Sequence, residues 1–170
     1  MADEAQATVV RFKELEPLRK HPADTRLERY RRERYSVIGR PDERAAGTPG
    51  ALTGVDVNFG YMVCKPGKGN CSHHHPQWEI FIPLSGRWRL VLEGGELEGR
   101  QALELGRWDM IIVPPDTFHE ATNISDEDGW MMSINPGVKG APYTIHPEVI
   151  EELRRFAESA GAAAREGVDI

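Results

Sequence analysis

Three adjacent histidines, with a glutamate four residues after the last of them, are the side chains of this sequence best suited to chemistry. In a strand, side chains alternate faces, so His73 and His75 share one face and His74 takes the other. If the alternation persists, Glu79 joins the first face, and two imidazoles with a carboxylate can bind a borderline divalent metal. The alternative is a polar surface strand with a chance cluster of histidines. The apolar run after Glu79 indicates a buried strand instead, where such groups are costly unless coordinated.

A fourth ligand has to come from elsewhere, and His119 is the best remaining donor. It follows an apolar stretch, Met110 to Val113, and a proline-rich turn. The other histidines outside the triplet, His21 and His146, lie next to prolines in poorly patterned or helix-start positions. His119 is therefore the residue that we expect to complete the set.

These two stretches resemble the two sequence motifs of the cupin family. The first motif is a glycine, five residues, His-x-His, three or four residues, Glu, six residues and a glycine. It is filled by Gly67, His73, His75, Glu79 and Gly86. The second motif ends in Pro-x-Gly, two residues, His, three residues and Asn. It is filled by Pro114, Asp116, His119 and Asn123, with Asp116 in place of the glycine. Aspartate tolerates the left-handed conformation better than most residues.

The resemblance implies an all-β jelly-roll barrel whose lumen holds one divalent ion. Its ligands would be His73, His75, His119 and Glu79, although some cupins use only the three histidines. Fe(II) is the favoured metal, and Mn(II), Ni(II) and Zn(II) are alternatives that suit the same donors. Cupins include dioxygenases, isomerases, decarboxylases, lyases and non-catalytic binding proteins, so the fold does not determine the function.

The leading hypothesis is a mononuclear non-haem Fe(II) dioxygenase acting on a small aromatic or enolisable substrate. Three apolar residues are candidates for the pocket wall: Phe81, Trp88 and Met132. One alternative is a non-oxidative Mn or Zn enzyme, such as an isomerase, lyase or decarboxylase. Another is a non-catalytic small-molecule binding or sensor cupin. No residue is assigned a catalytic role beyond the metal ligands.

Composition narrows the range of partners and locations. A net charge of −6 argues against nucleic acid as a general partner, and no apolar run is long enough for a membrane helix. The acidic N-terminus lacks a signal core, so we expect a cytoplasmic protein in which Cys64 and Cys71 are free thiols. Cupins commonly form dimers, and the outward-facing Ile80 and Ile82 fit a covered sheet face. We therefore expect a homodimer that binds a small-molecule substrate.

The 170 residues form one domain with three segments. The segments are an N-terminal extension packed on the barrel (1–54), the barrel (55–145), and a C-terminal helix and tail (146–170). Short apolar stretches broken by glycine and proline predict the strands of a sandwich or barrel. The candidate strands are 55–65, 72–83, 87–93, 101–104, 109–113, 118–123 and 129–134.

The two ends of the chain carry weaker signals. Val9–Phe12 is a candidate short strand, and residues 39–54 are rich in turn formers. The charged residues 13–36 predict a solvated, self-paired segment. This segment would lean on three residues, Leu27, Tyr30 and Tyr35. At the other end, helical spacing of apolar residues predicts a helix from Pro147 to Gly161, whose apolar stripe packs on the barrel or at a subunit contact.

Overall fold

The computed structural model describes residues 9–18, 22–38, 56–136 and 142–166. These residues contain ten β-strands and one α-helix. In chain order they are β1 (Glu33–Ile38), β2 (Val57–Cys64), β3 (His73–His74), β4 (Glu79–Pro83), β5 (Trp88–Glu93), β6 (Gln101–Leu105), β7 (Ile111–Val113), β8 (Phe118–Asn123), β9 (Gly129–Pro136), β10 (Thr144–Ile145) and α1 (Pro147–Glu166). Three short 3-10 helices, Phe12–Glu14, Ala23–Arg26 and Glu28–Tyr30, precede β1.

The strands form two five-stranded antiparallel sheets that face each other. Sheet A has the order β1-β2-β9-β4-β7, and sheet B has the order β10-β3-β8-β5-β6. Most neighbouring strands are distant in sequence, so the chain passes repeatedly from one sheet to the other, as in a jelly roll. The predicted all-β cupin architecture is confirmed.

Alternating burial along the strands builds the interior between the sheets. In β4, Glu79, Phe81 and Pro83 point inward and are buried, while Ile80 and Ile82 are half-buried on the outer face. β5 and β8 repeat this alternation. The apolar core comprises Met62, Cys64, Phe81, Trp88, Leu90, Leu92, Leu105, Val113, Ala121 and Met131. Removal of this surface from water holds the sheets together.

The predicted strand 72–83 is wrong as a single strand, because the chain changes sheets within it. β3 pairs with β8 and β10 in sheet B, and β4 pairs with β7 and β9 in sheet A. The break contains Pro76, which has no N–H to donate to a strand ladder. Glu79 therefore does not continue β3, the strand of His73 and His74. It faces His73 and His75 from the opposite sheet.

The N-terminal extension differs from its prediction in its first elements. Val9–Phe12 is not a strand; a 3-10 turn begins at Phe12 instead. The Phe12 ring packs on the rings of Tyr35 and Trp130, with centroids 4.9 and 5.1 Å apart. This packing places the extension on the outer face of sheet A, where β1 adds an edge strand beside β2.

The charged part of the extension is only partly solvated. Leu27 and Tyr30 are buried, as the sequence predicted. Arg32 and Asp24 form an ion pair whose side chains are 4% and 1% exposed. The pair confirms the predicted pairing of charges within the segment, but because it is buried, the prediction that the segment is solvated is wrong here. The composition of this segment is like that of a charged segment on a protein surface. Only the folded structure shows that one of its ion pairs is buried.

The C-terminal helix begins at Pro147 as predicted, but continues past Gly161 to Glu166. On its apolar stripe, Val149 is buried and packs with Tyr30, while Ile150 is 53% exposed. The stripe is thus only partly covered by the barrel. No described helix is long and apolar enough to cross a membrane. The turn-rich segment predicted at 39–54 lies outside the described residues.

Candidate metal centre

Four polar side chains from the two sheets converge inside the barrel. His73 on β3 lies opposite His119 on β8, Glu79 projects from β4 of the other sheet, and His75 directly follows β3. His73, Glu79 and His119 are 8%, 6% and 1% exposed. One ligand atom from each of the four residues lies within 4.8 Å of the other three. The structure therefore brings the predicted ligand set together.

Hydrogen bonds to the backbone orient all three imidazoles. The Nδ1 contacts are His73 to the Cys71 carbonyl (2.8 Å), His75 to the Gln77 carbonyl (3.0 Å), and His119 to the Thr117 carbonyl (2.9 Å). Because a carbonyl only accepts, each Nδ1 carries a hydrogen, and in the neutral ring the lone pair is then on Nε2. Metal-binding histidines are commonly held in this way.

Glu79 supplies the negative charge of the centre. One carboxylate oxygen, Oε2, lies 3.1 Å from Nε2 of both His75 and His119. Burial raises the pKa of Glu79, but the contacts of its carboxylate with the imidazoles of His119 and His75 outweigh burial and hold that pKa well below its usual range. Burial lowers the pKa of His73 well below its usual value. Burial also lowers the pKa of His75, but Glu79 outweighs it and raises that pKa. The ionised carboxylate therefore calls for a cation beside it, either a proton on a facing Nε2 or a metal ion.

A divalent metal fits this donor set better than protons do. Protons on several Nε2 atoms would create imidazolium ions a few ångströms apart in a buried site, which is unfavourable. Three imidazoles and one carboxylate are suitable ligands for Zn(II), Fe(II), Mn(II) or Ni(II). The four residues would hold one such ion and leave positions for a substrate on an octahedral metal. They are also the only group of this kind among the described residues.

An asparagine that the sequence analysis did not identify, Asn135, approaches the free side of Glu79, and a second asparagine holds it. Asn135 Nδ2 lies 3.5 Å from Glu79 Oε1, a weak contact, and its Oδ1 accepts a hydrogen bond of 2.9 Å from Asn58. The two asparagines are cross-strand partners in β9 and β2. The predicted strand ended at residue 134. Extending its alternation from the inward-facing Met131 would have found Asn135.

Tyr143 is a third residue that the sequence analysis missed. Its ring stacks on the His73 ring, with centroids 4.4 Å apart and planes inclined by 29°. It directly precedes β10, which pairs with β3 and so brings the tyrosine to the site. No short motif marks this residue, because only the long-range pairing places it here.

The profile of the cupin domain family matches residues 60–135, which include all four candidate ligands. This part of the chain is a cupin domain. Its first and second cupin motifs therefore do in the structure what the family resemblance implied. They present three imidazoles and a carboxylate to one point inside a jelly roll.

One curated relative and several solved structures resemble this cupin. The polyketide synthase CurC of Streptomyces cyaneus is 23% identical over 175 residues, covering 98% of each chain. The DMSP lyase DddQ of Ruegeria pomeroyi DSS-3 superposes with a TM-score of 0.51 at 22% identity, over 68% of this chain and 51% of that one.

A Lactobacillus farciminis oxalate decarboxylase superposes with a TM-score of 0.54 at 14% identity. The match covers 76% of this cupin and 33% of that chain. This chain thus spans about half or less of the two solved proteins. At these identities the likeness to them is one of fold alone.

The three predicted pocket residues take different positions in the cupin barrel. Phe81 points inward, and its ring centroid lies 5.7 Å from that of His119. Trp88 is fully buried but pairs with Asn123, four residues along β8 from His119 and so about 13 Å away along the strand. It fills the far end of the core.

Met132 does not face the lumen, so this part of the pocket prediction is wrong. It pairs with Ile82 and Tyr61 on the outer face of sheet A. Its neighbour Met131 is the inward residue and is fully buried. The two methionines are adjacent in sequence, and only the register of β9 decides which one faces the lumen.

His74 points away from the metal site, as strand alternation predicted. It lies 3.6 Å from the Asp116 carboxylate, and its ring meets the Phe118 ring edge-on. The Asp116 backbone has a φ of 57°, the left-handed conformation anticipated at this position. Its N–H donates to the His75 carbonyl at 2.9 Å, so the second motif also holds the chain beside a ligand.

A surface cleft of about 690 Å³ lies outside the barrel, between α1 and the outer faces of β5 and β8. The described residues that line it do not form a second group of metal-binding side chains. Two of its three arginines have acidic partners: Arg29 pairs with Glu152, and Arg155 lies 3.6 Å from Glu151. The buried ligand cluster is therefore the better candidate for chemistry.

Proposed function

We propose that this cupin is a mononuclear metal-dependent enzyme acting on an enolisable substrate of polyketide type. The observation that carries the proposal is that one ligand atom from each of the three histidines and from Glu79 lies within 4.8 Å of the others, in a largely buried cluster. A bound divalent ion would supply a Lewis acid that polarises a carbonyl group of the substrate. His73, His75, His119 and Glu79 would hold that ion.

The walls around the site suit an apolar substrate with few polar groups. Phe81 is 3% exposed beside His119, and Val113 lies opposite Glu79 across β4 and β7. Such walls exclude water and pack against a carbon skeleton, while the open metal positions orient its oxygens. Asn135 Nδ2 contacts the free oxygen of Glu79, and Asn58 donates to Asn135. Asn135 would position the carboxylate and contact a substrate oxygen.

The curated relative favours the substrate class. A polyketide chain carries ketones on alternate carbons, so it forms enols readily and can present two oxygens to one metal. CurC and this chain match over nearly their full lengths, although their identity is only 23%. A 1,3-dicarbonyl compound is the smallest unit of this chemistry. We therefore favour a non-oxidative enolisation or cyclisation of such a compound.

The Fe(II) dioxygenase predicted from the sequence is the second candidate. Three imidazoles and one carboxylate leave two positions on an octahedral ion, enough for one substrate oxygen and dioxygen. The same walls would accept an aromatic ring. The two candidates share the metal centre and the substrate class, and they differ in whether dioxygen is consumed.

One experiment separates these candidates. The metal-free protein is reconstituted in parallel with Fe(II), Mn(II), Ni(II) and Zn(II), and mixed with linear 1,3-diketones, triketones and catechols. Oxygen uptake and product mass are measured with and without air. Turnover without oxygen by the Zn or Mn form supports the favoured reaction, and oxygen uptake by the Fe form supports the dioxygenase. Tight substrate binding without turnover under any condition would make the protein a binding module and contradict both.

We also propose that the outer face of sheet A joins two copies of this chain. The face carries aliphatic side chains from β4, β7 and β9, including Ile82 and Ile134, and Ile112 is 56% exposed. An uncharged aliphatic face of this kind can pack on an identical face related by a two-fold axis. Ile112→Arg should convert the dimer to a monomer in light scattering. A wild-type protein that is already monomeric would contradict the proposal.

A further inference from the structure

The buried ion pair between Asp24 and Arg32 in the N-terminal extension is linked to His73, a candidate metal ligand, through the backbone of one residue, Cys71. Asp24 is fully buried, and its Oδ2 accepts from Arg32 Nη1 at 2.8 Å. The same oxygen accepts from the backbone N–H of Cys71 at 3.3 Å. The carbonyl of Cys71 in turn accepts from His73 Nδ1 at 2.8 Å. Cys71 is thus held by Asp24 on one side and by His73 on the other.

Arg32 ties the same loop to the extension. Besides Asp24, its Nη1 donates to the Tyr30 carbonyl at 2.7 Å and contacts the Gly69 carbonyl at 3.4 Å. Gly69 has no room for a side chain, because a Cβ there would lie 1.9 Å from the Ala121 carbonyl oxygen. The loop before β3 is therefore clamped between the extension and β8, with little freedom to adjust.

From this geometry we propose that Asp24 and Arg32 are positioning residues for the metal centre. They fix the Cys71 backbone, which fixes the tautomer and ring direction of His73. Partners behind a metal-binding histidine commonly change metal affinity when they are removed. The inference rests on the proposed metal site. It adds a role for a segment outside the matched cupin domain, which covers only residues 60–135.

A simpler interpretation is that the pair only anchors the extension to the barrel. The two interpretations predict different results for the same substitutions. An anchor changes the stability of the metal-free protein, with no special dependence on His73. A positioning pair changes metal affinity through His73, and its effect disappears when that imidazole is absent. A double-mutant cycle measures this difference.

The test compares two double variants that differ in one group. Asp24→Leu with Arg32→Met removes the ion pair and the acceptor for the Cys71 N–H. Asp24→Asn with Arg32→Met removes the same charges but keeps an oxygen that can accept from Cys71. Removing both charges together avoids leaving one unpaired in the interior. Zn(II) affinity is measured by competition with a chromophoric chelator, and thermal unfolding of the metal-free proteins is measured beside it.

We expect the leucine variant to bind Zn(II) about 10- to 100-fold more weakly than wild type. The asparagine variant should retain most of the affinity. In a His73→Ala background the two double variants should bind Zn(II) equally. Equal losses with and without His73, or equal affinities of the two double variants in the wild-type background, would overturn the inference.

The remaining outcomes are also decisive. A wild-type protein that binds no Zn(II), Mn(II), Fe(II) or Ni(II) would overturn the metal site itself, and this inference with it. If the leucine variant does not fold, Arg32→Lys is the second test. It keeps the charge balance but replaces the planar guanidinium, whose Nη1 contacts Asp24 and two carbonyls, with a more flexible and strongly hydrated ammonium. A loss of affinity that depends on His73 would support the inference, and unchanged affinity would overturn it.

Discussion

The two ends of β8 carry buried polar side chains that differ in how they are satisfied. Asn123 and His119 both point inward and are 0% and 1% exposed. Asn123 Nδ2 donates to the carbonyls of Cys64 (2.9 Å) and Glu127 (2.8 Å), and its Oδ1 accepts from the Ser125 N–H at 3.0 Å. The protein itself supplies all of these partners.

His119 is satisfied on one side only. Its Nδ1 is bonded to a carbonyl, while its Nε2 lone pair faces the Glu79 carboxylate. Two motif residues of equal burial thus have different roles. Asn123 closes the far end of the barrel beside Trp88, and His119 leaves a lone pair for an ion. A buried polar group that the protein fully satisfies is structural, and one that it half-satisfies indicates a ligand.

The largest expected effect comes from removing the half-satisfied group. His119→Ala should weaken Zn(II) binding by more than about 100-fold, beyond the usual loss from a supporting residue. The metal-free protein should remain folded, because the substitution also removes a buried lone pair that faces a carboxylate. Isothermal titration calorimetry measures the Zn(II) affinity, and thermal unfolding shows whether the metal-free protein is folded. Retained affinity would mean that His119 is as structural as Asn123.

Removing Asn123, whose hydrogen bonds the protein itself supplies, should lower stability and leave Zn(II) affinity nearly unchanged. Asn123→Ala leaves two carbonyls and one N–H without partners, so the free energy of unfolding should fall by about 2 kcal/mol. Zn(II) affinity should stay within a few fold of wild type, since Asn123 is at the far end of the barrel. Urea denaturation measures the first quantity, and chelator competition measures the second. A large loss of affinity with normal stability would remove the distinction between the two ends.

A smaller effect is expected from the amide next to Glu79. Asn135→Ala removes the donor 3.5 Å from Oε1, so Zn(II) affinity should fall by no more than about tenfold. The matched control is Ser133→Ala, two residues earlier on the same strand. If both variants bind Zn(II) as wild type does, Glu79 does not need its asparagine neighbours.

The last effect is absent at neutral pH and concerns the two thiols, one near each end. Burial raises the pKa of both Cys64 and Cys71 to about 12. In the unfolded chain a thiol ionises near pH 8.5, so the native state keeps its proton while the unfolded state loses it. Stability is therefore full below pH 8.5 and should fall above it, by about 1 kcal/mol per pH unit for each thiol.

Urea denaturation between pH 8 and pH 10 measures this slope, and the Cys64→Ala Cys71→Ala variant should flatten it. In the native protein neither thiol should react with a disulfide reagent at pH 8. Fast reaction of Cys71 alone would show that the metal end admits solvent while the far end does not.

The identity of the metal ligands and the strand face of each histidine could be predicted from the sequence, because they depend on local patterns. Alternation in a strand placed His73 and His75 together and His74 outside, and the turn at Asp116 followed from its tolerance of positive φ. Alternation failed at Glu79 because Pro76 ends the strand between them. The carboxylate reaches the site from the other sheet, so the predicted convergence was right and its route was wrong.

The other residues around the site could not be predicted, because their positions depend on the pairing of strands that are distant in sequence. The register of β9 turned Met131 inward and Met132 outward, and the pairing of β10 with β3 brought Tyr143 onto His73. Asp24 and Arg32 belong to a charged segment whose composition is typical of a protein surface, yet the fold buries them behind the ligand His73. Sequence alone thus determined which donors exist and which strand face each occupies. Only the tertiary structure decided by which route Glu79 reaches the site and which residues surround the donors, because each such contact joins segments whose separation no local rule encodes.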